Sequence, residues 1–386
     1  MLCHGSYSEN IGVVPVSANE IADTVLYRVA AAAVHGNDRR NGGAHMKAAV
    51  LKQFYQPLVI EDVPMPKPGP QEVLVKVMAS GLCGSDIHIQ EGKIKSVPLP
   101  HIPGHEMAGV VEEVGEGCTR LQTGERVVSS IDITCGICRY CRSGRPNLCQ
   151  NLRRIGFERD GSHAQYVVVP EKNLYPIGPT MPWEKAAVIP DAVSCMLHAV
   201  KDQASCRVGD RMCFLGIGGL GLQGIQLAIH YGAEVYCTSR QDSKLELASK
   251  FGAHYCLNSK RESLVEKIRD LTDGEMCDVV FDNIGIASSI QTALDLVRPG
   301  GRVIVVGYVD TNFYANYQDI MMNEKEIVGV RASNPDNLKE AITLVNQGII
   351  DPYVFDVMPI ENINEALERL KCGGALGRTV LLPQGV

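Results

Sequence analysis

The sequence predicts an α/β protein in which a mainly β part precedes a doubly wound parallel sheet. Residues 46–190 contain β-branched runs broken by glycine and proline, whereas short apolar strands alternate with helical stretches from about residue 193. A glycine-rich turn, FLGIGGLG, stands where the first strand of the second part meets its first helix. Alternation of this kind is typical of a parallel sheet covered by helices on both faces.

Length and composition limit the class of protein. A chain of 386 residues is long enough for two or three domains at about 150 residues each. It is 45% hydrophobic and carries a formal net charge of −7, which argues against a nucleic-acid binder. No apolar run approaches the roughly 18 residues of a membrane span. Fourteen cysteines without a secretory signal indicate a reducing compartment, so we expect a cytoplasmic protein.

The first 45 residues differ from the rest of the chain. They have no basic segment ahead of an apolar run, and they contain several acidic residues, which argues against a signal or transit peptide. The segment MKAAVLK, which starts at Met46, has the pattern of a first strand. We therefore predict a disordered N-terminal extension over residues 1–45.

The predicted strands and helices can be assigned in order along the chain. EVLVKVMASGLC, HEMAGVVEEVGEG and GERVVSS are predicted strands, and the prolines between residues 64 and 70 predict an extended loop. Four predicted strands of the parallel sheet lie in DRMCFLG, EVYCTSR, CDVVFDN and RVIVVGY. The tail contains two helical stretches and a closing strand, RTVLLP.

The glycine-rich turn predicts a dinucleotide site. Its glycines let the backbone approach a pyrophosphate whose charge lies at the N-terminus of the next helix. A tight turn without a ligand is the structural alternative. The glycines concerned are Gly216, Gly218, Gly219 and Gly221.

The end of the second strand of this sheet indicates which dinucleotide binds. NAD-binding units normally carry an acidic residue there for the ribose hydroxyls, but this chain has Ser239 and Arg240, with Lys244 nearby. A hydroxyl beside a guanidinium favours a 2′-phosphate, so we predict NADP over NAD. The alternative is that Arg240 stacks on the adenine of an NAD enzyme.

Four cysteines in CGICRYCRSGRPNLC have the spacing of a zinc site: Cys135, Cys138, Cys141 and Cys149. Four thiolates complete a tetrahedral zinc shell and leave no position for a substrate. Because the chain is acidic, a nucleic-acid finger is disfavoured, and we predict a structural zinc in a lobe over residues 132–150.

A second group of metal-ligand residue types precedes this lobe, in GLCGSDIH and PGHEMAG. With the four-cysteine lobe and GIGGLG, these motifs stand in the order and spacing of the zinc-dependent medium-chain alcohol dehydrogenases. Over about 340 residues the chain resembles that family, which includes alcohol, polyol and threonine dehydrogenases. The resemblance implies a GroES-like catalytic domain over 46–192 and 332–386 and a Rossmann domain over 193–331.

The resemblance also implies roles for individual residues. Cys83, His105 and Asp191 match the ligands of the catalytic zinc, with Cys195 as an alternative third ligand. Glu106 matches a carboxylate that approaches the metal, and Asp86 one that orients His105. Three further matches complete the site: Ser85 for the hydroxyl that bonds the substrate oxygen, His88 for the outer end of the proton path, and Arg378 for an arginine that reaches the cofactor pyrophosphate.

The implied activity is hydride transfer between a primary, secondary or polyol alcohol and NAD(P)+, with two zinc ions per chain. A zinc-free enone or quinone reductase on the same fold and a non-catalytic nucleotide-sensing protein are the alternatives. An acidic residue at 191 with the sequence TSR resembles the secondary-alcohol branch, although the four-cysteine lobe is often missing there. The resemblance further implies a small-molecule substrate and a homodimer or homotetramer.

Overall fold

A computed structural model describes residues 44–310 and 312–385. The predicted extension over residues 1–45 therefore lies outside the described residues except for its last two positions. The first strand begins at His45, one residue before the predicted start. Among the described residues, no helix combines the length and the apolar character that crossing a membrane requires.

The strands are β1 (His45–Val50), β2 (Val59–Pro64), β3 (Glu72–Leu82), β4 (Glu106–Val114), β5 (Arg126–Ser129), β6 (Asp132–Ile133), β7 (Arg153–Arg154), β8 (Tyr166–Pro170), β9 (Leu174–Pro176), β10 (Arg211–Leu215), β11 (Glu234–Ser239), β12 (Tyr255–Asn258), β13 (Cys277–Asp282), β14 (Val297–Val305), β15 (Glu326–Gly329), β16 (Val354–Pro359) and β17 (Arg378–Leu382).

The α-helices are α1 (Gly84–Gln90), α2 (Arg139–Arg142), α3 (Trp183–Ala187), α4 (Ser194–Leu197), α5 (Gly221–His230), α6 (Asp242–Lys250), α7 (Leu264–Leu271), α8 (Ala287–Leu296), α9 (Tyr317–Met322), α10 (Pro335–Asn346) and α11 (Ile363–Lys371). Short 3-10 helices cover Pro146–Leu148, Glu171–Asn173 and Ile360–Asn362, and π-helices cover Ile189–Val193 and His198–Gln203.

A seven-stranded sheet contains the predicted strands of the first part and the closing strand of the tail. Its order is β16-β17-β3-β4-β5-β9, and β8 also pairs with β3. β3 is antiparallel to β4, β8 and β17, so its end lies between the start of β4 and the start of β17. The tail thus returns to the sheet formed by the early part of the chain.

A six-stranded parallel sheet forms the second part, in the order β12-β11-β10-β13-β14-β15. This is the doubly wound order in which ligands bind where the strand order reverses, between the first and fourth strands. The predicted fold class is therefore confirmed. The predicted boundaries after residues 192 and 331 stay predictions, and both fall between the strands of the two sheets.

The centre of the parallel sheet is apolar on both faces, as expected for strands covered by helices. Phe214 on β10 lies opposite Phe281 on β13, and their rings stack with centroids 4.4 Å apart. A Cβ atom at Gly224 would lie 2.5 Å from the Met196 side chain and 2.6 Å from the Phe214 ring. Gly224 therefore lets α5 pack closely on the sheet, which fixes the start of that helix beside the end of β10.

Candidate functional site

Strand register brings three of the predicted site residues together. Cys83 follows β3 directly, and the pairing of Gly81 with Glu106 places the end of β3 beside the start of β4. Thr379 pairs with Leu82, so Arg378 on β17 reaches the same end of β3 from the other side. Neighbouring antiparallel strands therefore position Cys83, Glu106 and Arg378 although almost 300 residues separate the first from the last.

The small size of Gly81 makes room for the buried carboxylate of Glu106. A Cβ atom at Gly81 would lie 2.2 Å from Glu106 Oε2. Any larger residue at this position would displace the carboxylate. Glycine at 81 is thus explained by a side chain on the neighbouring strand.

Asp191 reaches the cluster from a π-helix, Ile189–Val193, an irregular helical turn that often occurs at functional sites. Its Oδ2 lies 3.5 Å from Cys83 Sγ and 2.7 Å from Arg378 Nη2. Ligand atoms of Cys83, His105, Glu106 and Asp191 all lie within 4.8 Å of one another, close enough to bind one metal ion. Cys195 is buried four residues later, and it is not part of this group.

Three of the four members of this group are buried, and burial disfavours the charged forms of Cys83 and Glu106. Burial raises the pKa of the Cys83 thiol to about 11, with Asp191 adding to the shift and Arg378 opposing it. Burial also raises the pKa of Glu106 well above its usual range. At Asp191 burial acts in the same direction, but the positive charges of Arg378 and His105, together with hydrogen bonds from Glu106 and Cys83, outweigh it and the pKa is lowered. Arg378 Nη2 lies 2.7 Å from carboxylate oxygens of both acids.

The residues predicted to handle the substrate and the proton lie on α1. Ser85 Oγ is 3.8 Å from Cys83 Sγ, and His88 lies one helical turn later. Asp86 Oδ2 accepts a hydrogen bond from the Cys83 backbone N–H at 2.8 Å. Its Oδ1 faces two imidazoles, with His105 Nδ1 at 3.7 Å and His163 Nε2 at 3.6 Å. The predicted orienting carboxylate thus lies between two histidines.

The four cysteines of the lobe converge as a second group. The Sγ atoms of Cys138 and Cys141 are 3.6 Å apart, those of Cys135 and Cys149 3.5 Å, and those of Cys138 and Cys149 3.9 Å. Zinc–sulfur bonds of about 2.3 Å in a tetrahedron imply sulfur separations of about 3.8 Å. The donor set and its dimensions therefore fit one zinc ion without an open position.

A pocket of about 600 Å³ lies at the carboxyl end of the parallel sheet. Gly216 has φ +87°, and a Cβ atom at Gly221 would lie 2.4 Å from the Gly216 carbonyl oxygen, whereas one at Gly218 would meet nothing within 4 Å. The turn is thus tight on one side and open on the other, as a bound pyrophosphate requires. All residues predicted to bind the dinucleotide line this pocket: Gly216, Gly218, Gly219, Gly221, Ser239, Arg240, Lys244 and Arg378.

Two side chains at the site were not predicted. Tyr308 follows β14, and its hydroxyl lies 3.1 Å from Ser85 Oγ while its ring stacks on His88. His163 is fully buried and hydrogen-bonds Ser80 through Nδ1 at 2.9 Å. The position of Tyr308 at the carboxyl end of a parallel strand is a signal that the sequence carried. No local signal marks His163, because its contacts come from two other segments.

Comparisons with known proteins show the family to which the chain belongs. The family model "Alcohol dehydrogenase GroES-like domain" matches residues 69–179, and "Zinc-binding dehydrogenase" matches residues 219–347. An alcohol dehydrogenase from Geobacillus stearothermophilus is 34% identical, covering 87% of this chain and 99% of that protein. A sorbitol dehydrogenase from Halalkalibacterium halodurans is 32% identical, covering 88% and 99%.

A solved structure from Sinorhizobium meliloti 1021, determined with bound NADP, superimposes with a TM-score of 0.83 at 30% identity. The match covers 88% of this chain and 100% of that one. The two family models fall on the two parts of the fold, and the relatives match nearly the whole of the described chain. The chain belongs to the zinc-type medium-chain alcohol dehydrogenase family.

Proposed function

We propose that the protein is a zinc-dependent oxidoreductase that transfers hydride between an alcohol or polyol and a nicotinamide dinucleotide, giving an aldehyde or ketone. One observation carries the proposal. Arg378 lines the dinucleotide pocket and also forms ion pairs with Glu106 and Asp191 of the metal-ligand group. A dinucleotide and a metal ion bound at the two places would therefore be neighbours.

The donor set fits a catalytic zinc. Sulfur from Cys83, nitrogen from His105 and oxygen from Asp191 would leave a fourth position for the substrate oxygen. Glu106 lies close enough to serve as a further donor during ligand exchange. The second zinc of the pair would be held by the four cysteines of the lobe.

When bound, zinc supplies Lewis acidity at the substrate oxygen and the nicotinamide supplies or accepts the hydride. The protein's own residues hold and move the proton. Ser85 would bond the reacting oxygen, and His88, farther along α1, would pass the proton to solvent; the position of Ser85 Oγ near Cys83 Sγ supports this. Arg378 would balance negative charge on Glu106 and Asp191, the two carboxylates next to it.

We propose NADP as the preferred dinucleotide. Arg240 and Lys244 both line the pocket beside Ser239, at the end of β11. Burial and the neighbouring charge of Arg240 lower the pKa of Lys244, which indicates that the two cations converge. A 2′-phosphate would relieve this repulsion, and no acidic residue lines the pocket in the described part of the chain.

The test combines metal analysis with an activity screen. Purified protein should contain two zinc ions per chain and should oxidise some member of a panel of primary alcohols, secondary alcohols and polyols with NADP or NAD. His105→Ala should retain one zinc and lose turnover. One zinc in the unmodified protein with reduction of enones or quinones would support the zinc-free reductase. Dinucleotide binding without turnover of any alcohol, aldehyde or ketone would support a nucleotide-sensing protein.

We also propose a homodimer or homotetramer joined through the edge of the parallel sheet. β15 is an edge strand, and its backbone offers unpaired groups to a partner strand. Apolar side chains on β15 and on α9, which precedes it in the chain, are exposed, namely Met321, Met322 and Ile327.

We propose a cytoplasmic location as well. The free thiols of the described cysteines are consistent with it.

A further inference from the structure

Tyr308 contacts both residues of the proposed proton path from the opposite sheet. It follows β14 of the parallel sheet, whereas Ser85 and His88 lie on α1, next to the seven-stranded sheet. The Tyr308 hydroxyl lies 3.1 Å from Ser85 Oγ. Its ring stacks on the His88 imidazole with centroids 4.9 Å apart and planes 29° from parallel.

The backbone around Tyr308 is held rigidly. Gly285 has φ +75°, and a Cβ atom there would lie 2.2 Å from the Gly307 carbonyl carbon and 2.4 Å from the Tyr308 nitrogen. The backbone N–H of Gly307 donates to Asp282, and that of Val309 donates to Gly285, both at 2.9 Å. The close contact between Gly285 and Gly307 and the hydrogen bonds on either side therefore fix the backbone position of Tyr308, from which its side chain extends.

Ser85 and His88 have few other groups to orient them. The Cys83 thiol, 3.8 Å away, is the other side-chain hydrogen-bonding partner of the Ser85 hydroxyl among the described residues. His88 Nδ1 is buried and has no hydrogen-bond partner in the described part of the chain, so stacking on Tyr308 is what orients its ring. A hydroxyl donates one hydrogen bond and accepts others. The Tyr308 hydroxyl can therefore either donate to Ser85 or accept from it, as the two directions of a reversible reaction require.

We propose that Tyr308 is a positioning residue, whose hydroxyl directs Ser85 toward the reacting oxygen and whose ring holds His88 in place. The proposal rests on the proposed alcohol oxidoreduction. When Ser85 donates to Tyr308, its lone pairs face the O–H of an alcohol. When Tyr308 donates to Ser85, the Ser85 proton faces a carbonyl oxygen. Partial burial raises the pKa of the Tyr308 phenol, so the hydroxyl keeps its proton near neutral pH.

Two variants separate the hydroxyl from the ring. Tyr308→Phe keeps the stack and removes the hydrogen bond, so we expect kcat to fall about tenfold while KM changes less than about twofold. Tyr308→Leu removes both contacts and should lower kcat further. Tyr314→Phe is the matched control, because Tyr314 is 94% exposed in the same segment and should keep the unmodified kcat.

A second measurement does not depend on turnover. The rate at which diethyl pyrocarbonate modifies His88, measured by peptide mass spectrometry, should stay unchanged in Tyr308→Phe and rise about fivefold or more in Tyr308→Leu once the stacked ring is gone. A normal kcat in Tyr308→Phe, or equal His88 modification in Tyr308→Leu and the unmodified protein, would overturn the proposal. If the unmodified protein turned over no alcohol, the proposed function would fail, while the His88 measurement would still decide whether the ring covers this histidine.

Discussion

Arg378 shows how one side chain is shared between two sites. The resemblance assigns it to the cofactor pyrophosphate, and the structure places it in the dinucleotide pocket, where it also pairs with the carboxylates of Glu106 and Asp191. A Cβ atom at Gly219 would lie 2.9 Å from the Arg378 side chain, so the glycine turn and the arginine are in contact. A guanidinium suits this place because it keeps its charge when buried and donates several hydrogen bonds in fixed directions.

Cofactor preference is the property that a single residue should control. Arg240→Asp would replace attraction for a 2′-phosphate by repulsion, so we expect the ratio of kcat/KM for NADP to that for NAD to fall about 10- to 100-fold. Steady-state kinetics with both dinucleotides checks this. Lys250→Asp makes the same charge change on α6 but lies outside the pocket, and it should leave the ratio unchanged. An unchanged ratio in Arg240→Asp would refute the charge argument.

At the scale of elements, the four-cysteine lobe is a short segment without a large core of its own. None of the residues of α2 is buried, and Ile137 is 78% exposed. The lobe is tied to the rest of the chain by hydrogen bonds between Asn147 and Arg331. With so little apolar burial, we expect metal binding to add substantially to the backbone hydrogen bonds that hold the shape of the lobe.

Loss of the lobe zinc should affect stability first. Cys138→Ser should reduce the zinc content from two ions to one, and lower the midpoint of urea unfolding, because the remaining thiolates no longer complete the shell. Metal analysis and denaturation monitored by circular dichroism measure both. Cys206→Ser, outside both metal groups, should change neither. Retained stability with lost hydride transfer would contradict a structural role.

The buried carboxylate of Glu171 holds the loop at residues 119–121 through hydrogen bonds to its backbone. Glu171, in the 3-10 helix Glu171–Asn173, accepts hydrogen bonds from the backbone N–H groups of Arg120 and Leu121 at 2.6 and 3.0 Å. Burial alone would raise the pKa of Glu171, but backbone hydrogen bonds outweigh it and the pKa is lowered. The stabilisation is therefore present above the ordinary glutamate pKa and is lost as pH falls through the lowered folded-state value.

Glu171→Gln should lower the free energy of unfolding by about 1–3 kcal/mol at pH 7. The difference from the unmodified protein should shrink as the pH falls below the ordinary glutamate range. Urea unfolding across a pH series measures this. Glu125→Gln is the control: the half-buried Glu125 accepts one backbone hydrogen bond, so this substitution should lower the free energy of unfolding less. A loss that is independent of pH would point to packing rather than charge.

At the scale of the whole molecule, the two sheets each supply one half of the proposed chemistry. The seven-stranded sheet holds most of the metal-ligand group, the parallel sheet holds the dinucleotide pocket, and Arg378 and Tyr308 each contact groups of both. In the part of the chain that the structure describes, β15 pairs with β14 on one side and forms an edge of the parallel sheet.

Assembly through that edge is testable by one substitution. Ile327→Lys places a charge on β15, and we expect it to shift the protein from dimer or tetramer to smaller species, because a charged edge resists pairing with another strand. Size-exclusion chromatography with light scattering measures the mass. Val208→Lys is the control, since Val208 is exposed outside this edge. A monomeric unmodified protein, or an unchanged mass in Ile327→Lys, would rule out this interface.

The sequence by itself determined the fold class, the family and the residues whose chemistry is written in contiguous motifs. Cys83 beside Ser85, His105 beside Glu106, the four cysteines and the glycines of the turn are readable because the backbone that positions them is local. Asp191 and Arg378 lie in looser sequence contexts, and they were assigned by resemblance rather than by local pattern. Tyr308 was missed although it follows a parallel strand, because the sequence does not mark Ser85 and His88 as its partners, and His163 has no local signal at all.

Only the tertiary structure decided which groups meet. Antiparallel register at the end of β3 brings Arg378 to Cys83 and Glu106, and the turn after β14 carries Tyr308 to α1. The physical reason is that these contacts join segments more than two hundred residues apart, where no periodicity or spacing can set a distance. The tertiary structure also decides the ionisation of the metal-ligand residues, since the pKa of Asp191 depends on its contact with Arg378.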